Sequence, residues 1–265
     1  MNLQGKNVLL TGAAGGIGAK LAQILAARGA RVALVGRNNE SLAQLQAQIA
    51  DLGGTAVVIT ADLLQTARLH EIASRCLESL GPVDLLINVA GQLSFRPFDE
   101  EDPAVLEQII RLNLITPMLL SRSLLPQMRQ QQGRIVNIGS TFGSIGFAWF
   151  SAYSASKFGL RGFSEALRRE LEDSGVGVTY IAPRAVRTPF NTGPVYRMAE
   201  AVKMNLDEPE RVAEQIVAAI EAEAQERHLG FPEKLFARIN AVLPRLVDGA
   251  LRKQNRIMES FARER

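Results

Sequence analysis

The sequence predicts an α/β fold in which helices cover both faces of a parallel sheet. Six short runs of apolar, often β-branched residues alternate with longer segments in which apolar residues recur at helical spacing. Almost no polar residue interrupts the short runs, which is typical of strands buried on both faces. Strand and helix repeated in this order indicate a doubly wound, Rossmann-like sheet.

Each strand is predicted at one of these apolar runs. The six runs are Asn7 to Leu10, Arg31 to Val35, Ala56 to Ile59, Val83 to Asn88, Arg134 to Ile138 and Gly177 to Ile181, and a shorter strand-like stretch lies around His228 to Phe231. Helical spacing is seen at Ile17 to Leu25, Leu42 to Ile49, Ala67 to Leu80, Pro103 to Gln130 and Tyr153 to Ser174.

The composition is that of an ordinary globular protein. The 265 residues are 47% hydrophobic, 22% charged and 6% aromatic, which excludes disordered tracts, collagen-like repeats and coiled-coil rods. No linker-like or low-complexity segment divides the chain, so residues 1–230 are predicted to form one domain and residues 231–265 a C-terminal extension. The lone Cys76 and two widely separated histidines predict neither a disulfide nor a metal site.

The excess positive charge is concentrated near the C-terminus. The net charge is +3, and residues 227–265 carry nine Lys and Arg against four Asp and Glu. The rest of the chain is slightly acidic, so no nucleic-acid partner is expected. The first ten residues leave no room for a signal peptide, and no run approaches the roughly 20 consecutive apolar residues that span a bilayer. We therefore expect the protein in the reducing cytoplasm.

A glycine-rich loop, Thr11-Gly12-Ala13-Ala14-Gly15-Gly16-Ile17-Gly18, lies between the first strand and the first helix. Its glycines allow the backbone to turn tightly and approach a pyrophosphate, whose charge the helix N-terminus favours. The loop predicts nucleotide binding, and a tight turn without a ligand is the alternative. The cofactor-binding residues predicted here are Gly12, Ala14, Gly15, Gly16, Ile17 and Gly18.

The second strand ends on Gly36 and Arg37, where many NAD sites carry an acid that binds the ribose 2′-hydroxyl. A guanidinium at this corner suits a 2′-phosphate, so NADP(H) is predicted in preference to NAD(H). The alternative is a surface arginine without a ligand. Asp62, after the third strand, either accepts a hydrogen bond from the adenine amino group or caps the following helix.

A tyrosine and a lysine stand one helical turn apart. Tyr153 and Lys157 share one helix face, and Ser140 ends the fifth strand at the sheet edge where ligands of such folds bind. A phenol has a pKa near 10, and an adjacent ammonium and a positively charged nicotinamide are both expected to lower it. The spacing therefore indicates a general acid/base, although each residue alone also has a structural interpretation.

Together these motifs resemble the short-chain dehydrogenase/reductase family, in its shorter single-domain branch. The resemblance runs in order from Lys6 to Phe190. It covers the glycine loop, Asn88-Val89-Ala90-Gly91 as the sheet-stabilising motif, the catalytic tetrad Asn113, Ser140, Tyr153 and Lys157, and Pro183 through Thr188 beside the nicotinamide. It implies that residues 1–230 are an NADP-binding catalytic domain. Implied cofactor contacts also include Leu63, Asn88, Ala90, Gly91, Tyr153, Lys157, Pro183, Val186 and Thr188.

The resemblance implies a role for each tetrad residue. Tyr153 would transfer the proton, Ser140 would hydrogen-bond the reacting oxygen, and Lys157 would hold the nicotinamide ribose. Asn113 would position a water that relays protons to Lys157. A hydride would pass between the cofactor and a carbonyl or secondary alcohol. The family also implies a homodimer or homotetramer that pairs helices near Pro103 to Gln130 and Tyr153 to Ser174.

Two residues depart from the family pattern. Val89 replaces the second asparagine of the sheet-stabilising motif, although Asn88 is present. Arg184 replaces the glycine after Pro183. Its side chain either pairs with a phosphate or an acidic substrate group or points to solvent, and solvent is favoured.

Aromatic residues cluster around Ser140 and Tyr153 and predict a lipophilic substrate. Phe142, Phe147, Trp149 and Phe150 flank the two polar residues, whereas Phe158 and Phe163 are expected in the core or at a subunit interface. The segment Phe190 to Leu206 lies where the family carries a mobile substrate lid. Gly193 and Pro194 are consistent with a loop there.

The C-terminal extension carries an apolar stripe of Leu235, Ile239, Val242, Leu246 and Leu251 flanked by Lys and Arg. Pro244 predicts two short helices or a kink. Such an arm either contacts an anionic membrane peripherally or covers its own core, a lid or a partner subunit, and the second reading is favoured.

Two functions from different classes follow. The first is an NADP(H)-dependent oxidoreductase, and the intact tetrad favours it. The second is an NADP(H)-binding sensor or scaffold without turnover. A third function, that of a sugar-nucleotide epimerase or dehydratase of the family's longer branch, usually needs an additional substrate region. This chain is too short to contain such a region, so the third function is not favoured.

Overall fold

A computed structural model describes residues 1–264, so Arg265 of the C-terminal extension lies outside the described residues. The chain forms one parallel sheet with the strand order β3-β2-β1-β4-β5-β6-β7. The strands are β1 Asn7–Thr11, β2 Arg31–Gly36, β3 Thr55–Thr60, β4 Leu85–Asn88, β5 Arg134–Ile138, β6 Gly177–Ala182 and β7 Glu226–His228. The predicted doubly wound parallel sheet is confirmed.

Helices pack on both faces of the sheet. They are α1 Gly16–Ala27, α2 Asn39–Asp51, α3 Leu69–Leu80, α4 Pro103–Ile110, α5 Thr116–Gln131, α6 Ser151–Glu170, α7 Gly193–Ala201, α8 Pro209–Glu221, α9 Glu233–Val242 and α10 Pro244–Ala262. Alternate residues of β1 serve the two faces: Val8 and Leu10 pack with α1, α2 and α8, whereas Leu9 packs with α3, α5 and α6. Because both faces are covered, the strands read as continuous apolar runs.

The order in which the chain adds strands to the sheet reverses at β1, between β1 and β4. The chain winds outward from β1 through β2 to β3, then returns to pair β4 with the other side of β1, with Val8 opposite Leu85 and Thr11 opposite Asn88. Ligands of open α/β sheets bind where the winding reverses, outside the carboxyl ends of the strands. The glycine loop leaves β1 at this edge, and the Val89–Gly91 segment leaves β4 beside it.

Four elements differ from the sequence prediction. The helix predicted over Pro103 to Gln130 is interrupted by a π-helical turn at Arg111–Ile115. Gly193 and Pro194 begin helix α7 instead of a loop, since Pro is well suited to the first helical turn. β7 ends at His228 and so precedes most of the predicted stretch. Helix α8 was overlooked, although its buried Val212, Ile216 and Ile220 recur at helical spacing.

The segment Pro103–Gln131 is long and apolar enough to cross a membrane, with a hydropathy of 1.2 over its most apolar 18 residues. The sequence itself predicts no uninterrupted apolar run of spanning length. In this fold α5 lies against the sheet, where Leu120, Leu124 and Met128 are fully buried. Core helices of globular domains pass the same length and composition test, and 33% of the most apolar window is buried in this fold.

The C-terminal extension forms two helices that meet at Pro244, where α10 begins. Ala237 of α9 and Val247 of α10 pack on Ile145, and Met258, near the end of α10, is fully buried among residues of α7 and the segment before α6. The extension therefore covers its own domain with its inner face. The division at residue 230 stays a prediction.

Candidate active site

The glycine loop forms a cradle that any larger side chain would fill. Gly12 adopts a φ of +68°, and a Cβ there would stand 2.8 Å from the backbone nitrogen of Ala90. A Cβ on Gly18 would collide with the carbonyl oxygen of Gly12, and one on Gly16 would collide with the side chain of Thr188. The bare backbone and the N-terminus of α1 that it exposes fit a pyrophosphate.

Thr11, which the sequence analysis did not assign, joins the two loops at the switch point. Its Oγ1 accepts hydrogen bonds from the backbone nitrogens of Val89 at 3.1 Å and Ala90 at 3.3 Å. Because both bonds go to backbone groups, replacing asparagine by valine at position 89 leaves this link intact. Asn88 donates to Asn137 Oδ1 at 2.8 Å and so ties β4 to β5. Asn88 thus stabilises the sheet and does not line the cavity.

One cavity of about 500 Å³ runs along this edge of the sheet. Nearly every predicted site residue lines it, and Asn88 and Asn113 are the two that do not. At the end beside β2 and β3 it is bordered by Gly36, Arg37, Asp62 and Leu63, and at the other end by Ser140, Tyr153 and Lys157. Sequence positions more than 140 residues apart therefore border one continuous space.

Arg37 and Asp62 occupy the corner where the adenosine end of a dinucleotide would lie. The Arg37 side chain is exposed, lines the cavity and forms no ion pair with the described residues. Asp62 Oδ1 accepts a hydrogen bond from the backbone nitrogen of Leu64 at 3.0 Å, which stabilises the turn before α3. This turn bond favours the structural role of Asp62, and its second carboxylate oxygen remains available at the cavity.

Ser140 and Tyr153 meet at the inner end of the cavity. Ser140 follows β5, and its Oγ accepts a hydrogen bond from the backbone nitrogen of Phe142 at 3.1 Å. The Ser140 hydroxyl also lies near the Tyr153 side chain, which is in the first turn of α6. Both side chains are more than nine-tenths buried. A carbonyl oxygen placed here would therefore meet two hydroxyl groups.

Lys157 by itself does not lower the pKa of Tyr153 in this structure, and the lowering expected from a positively charged nicotinamide stays a prediction. Burial raises the pKa of Tyr153 to about 12, and the influence of the nearby Ser140 hydroxyl opposes this only in part. The phenol ring lies among Phe142, at 5.8 Å between ring centroids, and Phe190, at 6.1 Å. These apolar neighbours disfavour the phenolate. At neutral pH the Tyr153 phenol therefore holds its proton.

Lys157 is a buried amine one helical turn after the phenol. Its Nζ donates to the carbonyl oxygen of Ile138 at 3.0 Å and lies 5.7 Å from the centroid of the Tyr153 ring. Burial lowers the pKa of Lys157 to about 8, because the charged amine is removed from water without a carboxylate partner. The amine thus lines the cavity as a cation that loses its proton more readily than an ordinary lysine, and a ribose hydroxyl in the cavity can reach it.

Asn113 lies in the π-helical turn and is fully buried. Its Oδ1 accepts from the backbone nitrogen of Gln92 at 2.8 Å, and its Nδ2 donates to Gln92 O at 2.8 Å and to Ser156 Oγ at 3.0 Å. The side chain therefore joins the loop after β4 to α6. The π turn aims it there, as such turns often do at functional sites. Its role in proton relay stays a prediction.

Tyr180 is a positioning residue that the sequence analysis missed. The Tyr180 hydroxyl donates to the carbonyl oxygen of Ser140 at 3.3 Å from the adjacent strand β6. Gly139 and Gly143 leave room for the ring, since a Cβ on either would collide with it. The available signal was a tyrosine within an apolar strand paired with β5, the strand that precedes Ser140.

The prediction that Arg184 points to solvent was wrong. The guanidinium pairs with both carboxylate oxygens of Asp207 at 2.7 Å and lies 3.3 Å from Glu233 at the start of α9. The Arg184 side chain is 17% exposed and borders the cavity. Arg184 thus connects the segment after β6 to the C-terminal extension, and two carboxylates from distant parts of the chain keep it from solvent.

The end of the cavity beyond Tyr153 is apolar. It is bordered by Leu93, Phe142, Phe150, Phe190, Val195, Met198 and Met204. Phe147 and Trp149 stand behind this wall instead: Phe147 stacks on Phe142 at 4.3 Å, and Trp149 Nε1 donates to the carbonyl oxygen of Asn255 in α10. Of the four aromatic residues proposed to bind substrate, Phe142 and Phe150 therefore reach the cavity directly.

The buried amine of Lys157 leads to a prediction about stability and pH. We expect Lys157→Met to raise the free energy of unfolding below pH 8 by up to about 3 kcal/mol, while activity falls. A depressed lysine pKa costs stability in full while both states are protonated, and the cost fades between the folded pKa of about 8 and the unfolded pKa near 10.5. Urea unfolding at a series of pH values measures this.

The matched control for that experiment is Lys253→Met, at an exposed lysine of α10. It should leave stability unchanged within about 0.5 kcal/mol at every pH. A Lys157→Met protein that is less stable than the wild type at neutral pH would contradict the expectation. That result would mean that the bond to the Ile138 carbonyl outweighs the cost of burying the amine.

Similar proteins were identified by sequence and by structure. The chain matches the family model for short chain dehydrogenases over residues 6–195. It is 38% identical to a ketoacyl reductase, HetN, of Nostoc sp., covering 84% of this chain and 78% of that protein. It is 32% identical to 3-ketodihydrosphingosine reductase of Bos taurus, covering 81% of this chain and 68% of that protein.

Among solved structures, a metagenomic short-chain oxidoreductase in complex with NADP is similar at a TM-score of 0.73 and 32% sequence identity. The match covers 87% of this chain and 100% of that one.

Proposed function

Because this chain belongs to the short-chain dehydrogenase/reductase family, we propose that it uses NADP(H) to reduce the carbonyl group of a lipophilic substrate. The observation that carries the proposal is the buried group of Ser140, Tyr153 and Lys157, placed where the glycine-lined part of the cavity meets its apolar end. The family match establishes the oxidoreductase class. The cofactor preference, the direction and the substrate are our proposals.

The cavity residues divide between binding and proton transfer. The glycine loop would hold the pyrophosphate, Arg37 the 2′-phosphate, Lys157 the nicotinamide ribose and Thr188 the carboxamide. Bound NADPH would supply the hydride that the carbonyl carbon receives. Ser140 would donate a hydrogen bond to the carbonyl oxygen, and Tyr153 would transfer its proton to that oxygen as negative charge develops. The product is a secondary alcohol or, from an aldehyde, a primary one.

The protonation state of Tyr153 is compatible with its proposed role as general acid in the reduction. A phenol with a pKa near 12 is protonated at neutral pH and can act as a general acid without prior activation. After transfer, the nearby amine of Lys157 would stabilise the phenolate until a proton returns from solvent. Oxidation of an alcohol would instead require the phenolate in the starting state.

The apolar end of the cavity supports a lipophilic substrate. Seven apolar side chains border it, and Ser140 and Tyr153 place polar groups where it meets the rest of the cavity. By their names, the two relatives reduce a ketoacyl compound and 3-ketodihydrosphingosine, each of which carries a keto group. We therefore propose a ketone with an aliphatic chain as the substrate of this enzyme.

A series of 3-oxo esters of increasing chain length tests the substrate class. We expect kcat/KM for NADPH oxidation to rise by about fourfold for each added methylene until the apolar end is filled, because each buried CH₂ contributes about 0.8 kcal/mol. If small polar ketones are turned over faster than long ones, the substrate proposal fails. Tight NADPH binding without turnover of any carbonyl would favour the sensor or scaffold alternative.

The cofactor preference depends on Arg37. Arg37→Ala should weaken NADPH binding by about 10- to 100-fold, the effect of losing a charged hydrogen bond, and leave NADH binding within about twofold. Fluorescence titration of the nicotinamide measures both dissociation constants. Arg211→Ala, at an exposed arginine of α8 away from the cavity, is the control. Equal effects of Arg37→Ala on both cofactors would refute the 2′-phosphate contact.

We also propose a homodimer or homotetramer formed through α5 and α6. Each of these helices presents a large exposed apolar side chain, Met118 on α5 and Phe158 on α6. Such residues are typical of an isologous contact between copies. Light scattering coupled to gel filtration measures the assembly. The cytoplasmic location stays a prediction.

A further inference from the structure

The outer face of the C-terminal extension holds an unusual concentration of exposed apolar side chains. The structure exposes twelve large hydrophobic residues in all, and half of them lie within residues 231–246. These six are Phe231, Leu235, Phe236, Val242, Leu243 and Leu246, with exposures from 43% to 76%. We call residues 231–253, which comprise α9, the turn and the first half of α10, the apolar hairpin.

Positive charge accompanies these apolar side chains. The apolar hairpin carries five cations, Lys234, Arg238, Arg245, Arg252 and Lys253, all of them exposed. None of the five forms an ion pair with residues 1–264. Of its two acids, Glu233 pairs with Arg184, which leaves Asp248. The surface is therefore both apolar and strongly cationic.

The inner face of the apolar hairpin is anchored, so its outer face cannot turn inward. Ala237 and Val247 pack on Ile145, and Asn240 Nδ2 donates to the carbonyl oxygen of Ser144 at 2.9 Å. Ile239 and Leu251 pack in the same cluster as Phe147. Through the stack of Phe147 on Phe142, this anchor reaches the wall of the cavity.

We propose that the apolar hairpin docks on the surface of an anionic lipid bilayer. Helices with an apolar face and flanking Lys and Arg lie in the headgroup region, where the apolar side chains enter the acyl boundary and the cations meet anionic headgroups. The exposed side chains supply both components at one surface. Docking would place the apolar end of the cavity within a few side chains of the bilayer.

Charge complementarity distinguishes the bilayer from a second copy of the chain. In a two-fold contact the same patch meets itself, which would bring five cations of one hairpin toward five of the other. Only Asp248 of each copy is available to offset them. An anionic membrane supplies the missing negative charge and a site for the six apolar side chains together.

Co-sedimentation of the full-length protein with vesicles tests the proposal. Vesicles of phosphatidylcholine alone are compared with vesicles that also contain phosphatidylglycerol, without cofactor or substrate. We expect binding to the anionic vesicles that weakens as salt is added. The assay needs no turnover, so its result stands whether or not the proposed reductase activity is found.

Two double variants separate the apolar from the charged component. Phe236→Ser with Leu246→Ser should weaken binding by more than about tenfold, and Arg238→Glu with Arg245→Glu by several-fold. All four side chains are exposed, so thermal unfolding should change little. Leu52→Ser, 73% exposed at the end of α2, and Arg211→Glu are the matched controls and should bind as the wild type does.

Three outcomes would overturn the proposal. In the first, the wild type stays in solution with vesicles of both compositions. In the second, the double variants bind as well as the wild type, or the controls lose as much binding as they do. In the third, light scattering shows that Phe236→Ser with Leu246→Ser dissociates an oligomer while vesicle binding is unchanged, which would identify a second copy as the occupant.

Discussion

Replacing Tyr153 by phenylalanine should lower kcat by about 10²- to 10⁴-fold, the usual contribution of a positioned general acid. The substitution removes only the hydroxyl, and the ring contacts with Phe142 and Phe190 remain. NADPH binding should therefore stay within about threefold of the wild type. Stopped-flow measurement of NADPH oxidation, together with a fluorescence titration, separates the two effects.

Tyr196→Phe provides the matched control, since it removes the same atom outside the tetrad. The Tyr196 hydroxyl donates to the carbonyl oxygen of Thr188 at 2.8 Å. Loss of this one neutral hydrogen bond should lower the free energy of unfolding by about 0.5–1.5 kcal/mol. A Tyr153→Phe enzyme with kcat within tenfold of the wild type would remove the phenol from the proton-transfer step. Equal losses in both variants would lead to the same conclusion.

Gly18→Ala should abolish measurable NADPH binding, with an affinity loss of more than about 100-fold, and lower Tm by about 3–10 °C. The added Cβ would collide with the carbonyl oxygen of Gly12 and approach Ala13 Cα to 3.1 Å. Both atoms belong to the backbone, so no side-chain rotation relieves the contact. The loop must open, and the cradle for the pyrophosphate is lost with it.

The control for Gly18→Ala is Gly249→Ala, in helix α10, where an added Cβ meets nothing within 4 Å. Alanine is favoured over glycine in a helix by about 0.5–1 kcal/mol, so this variant should be slightly more stable and bind NADPH normally. Calorimetry and fluorescence titration measure both properties. Normal NADPH binding by Gly18→Ala would show that the loop tolerates a Cβ, and it would contradict the assignment of the glycine loop as the pyrophosphate site.

Much of the fold was predictable because its signals are local. Buried parallel strands read as uninterrupted apolar runs, and the glycine loop directly follows the first of them. The tetrad spacing between Tyr153 and Lys157 is also local, since one helical turn separates them. Given a doubly wound topology, the carboxyl ends of the strands share one edge, so residues at those ends were expected to meet.

The electrostatic state of the site was not predictable in the same way. The sequence shows Lys157 beside Tyr153 and suggests a lowered phenol pKa, whereas the tertiary structure buries both groups and raises it. Desolvation depends on residues that pack around the ring, including Phe190, which is 37 positions away in the sequence. No local pattern reports how much water such packing removes.

Long-range partners explain the remaining corrections. The sequence around Arg184 predicts a side chain in solvent, because its partners, Asp207 and Glu233, lie 23 and 49 residues further along the chain. Tyr180 supports Ser140 from 40 residues away. In the same way, only packing shows that the C-terminal extension buries one apolar face and leaves the other exposed.

Backbone preference and apolar periodicity act between near neighbours, so the doubly wound sheet, the glycine loop and the order of the tetrad are predictable from the sequence. Only the folded chain determines whether the Tyr153 phenol is protonated, which residues Arg184 binds and which face of the apolar hairpin remains exposed to solvent. Burial and charge pairing depend on groups that come together only when the chain is folded.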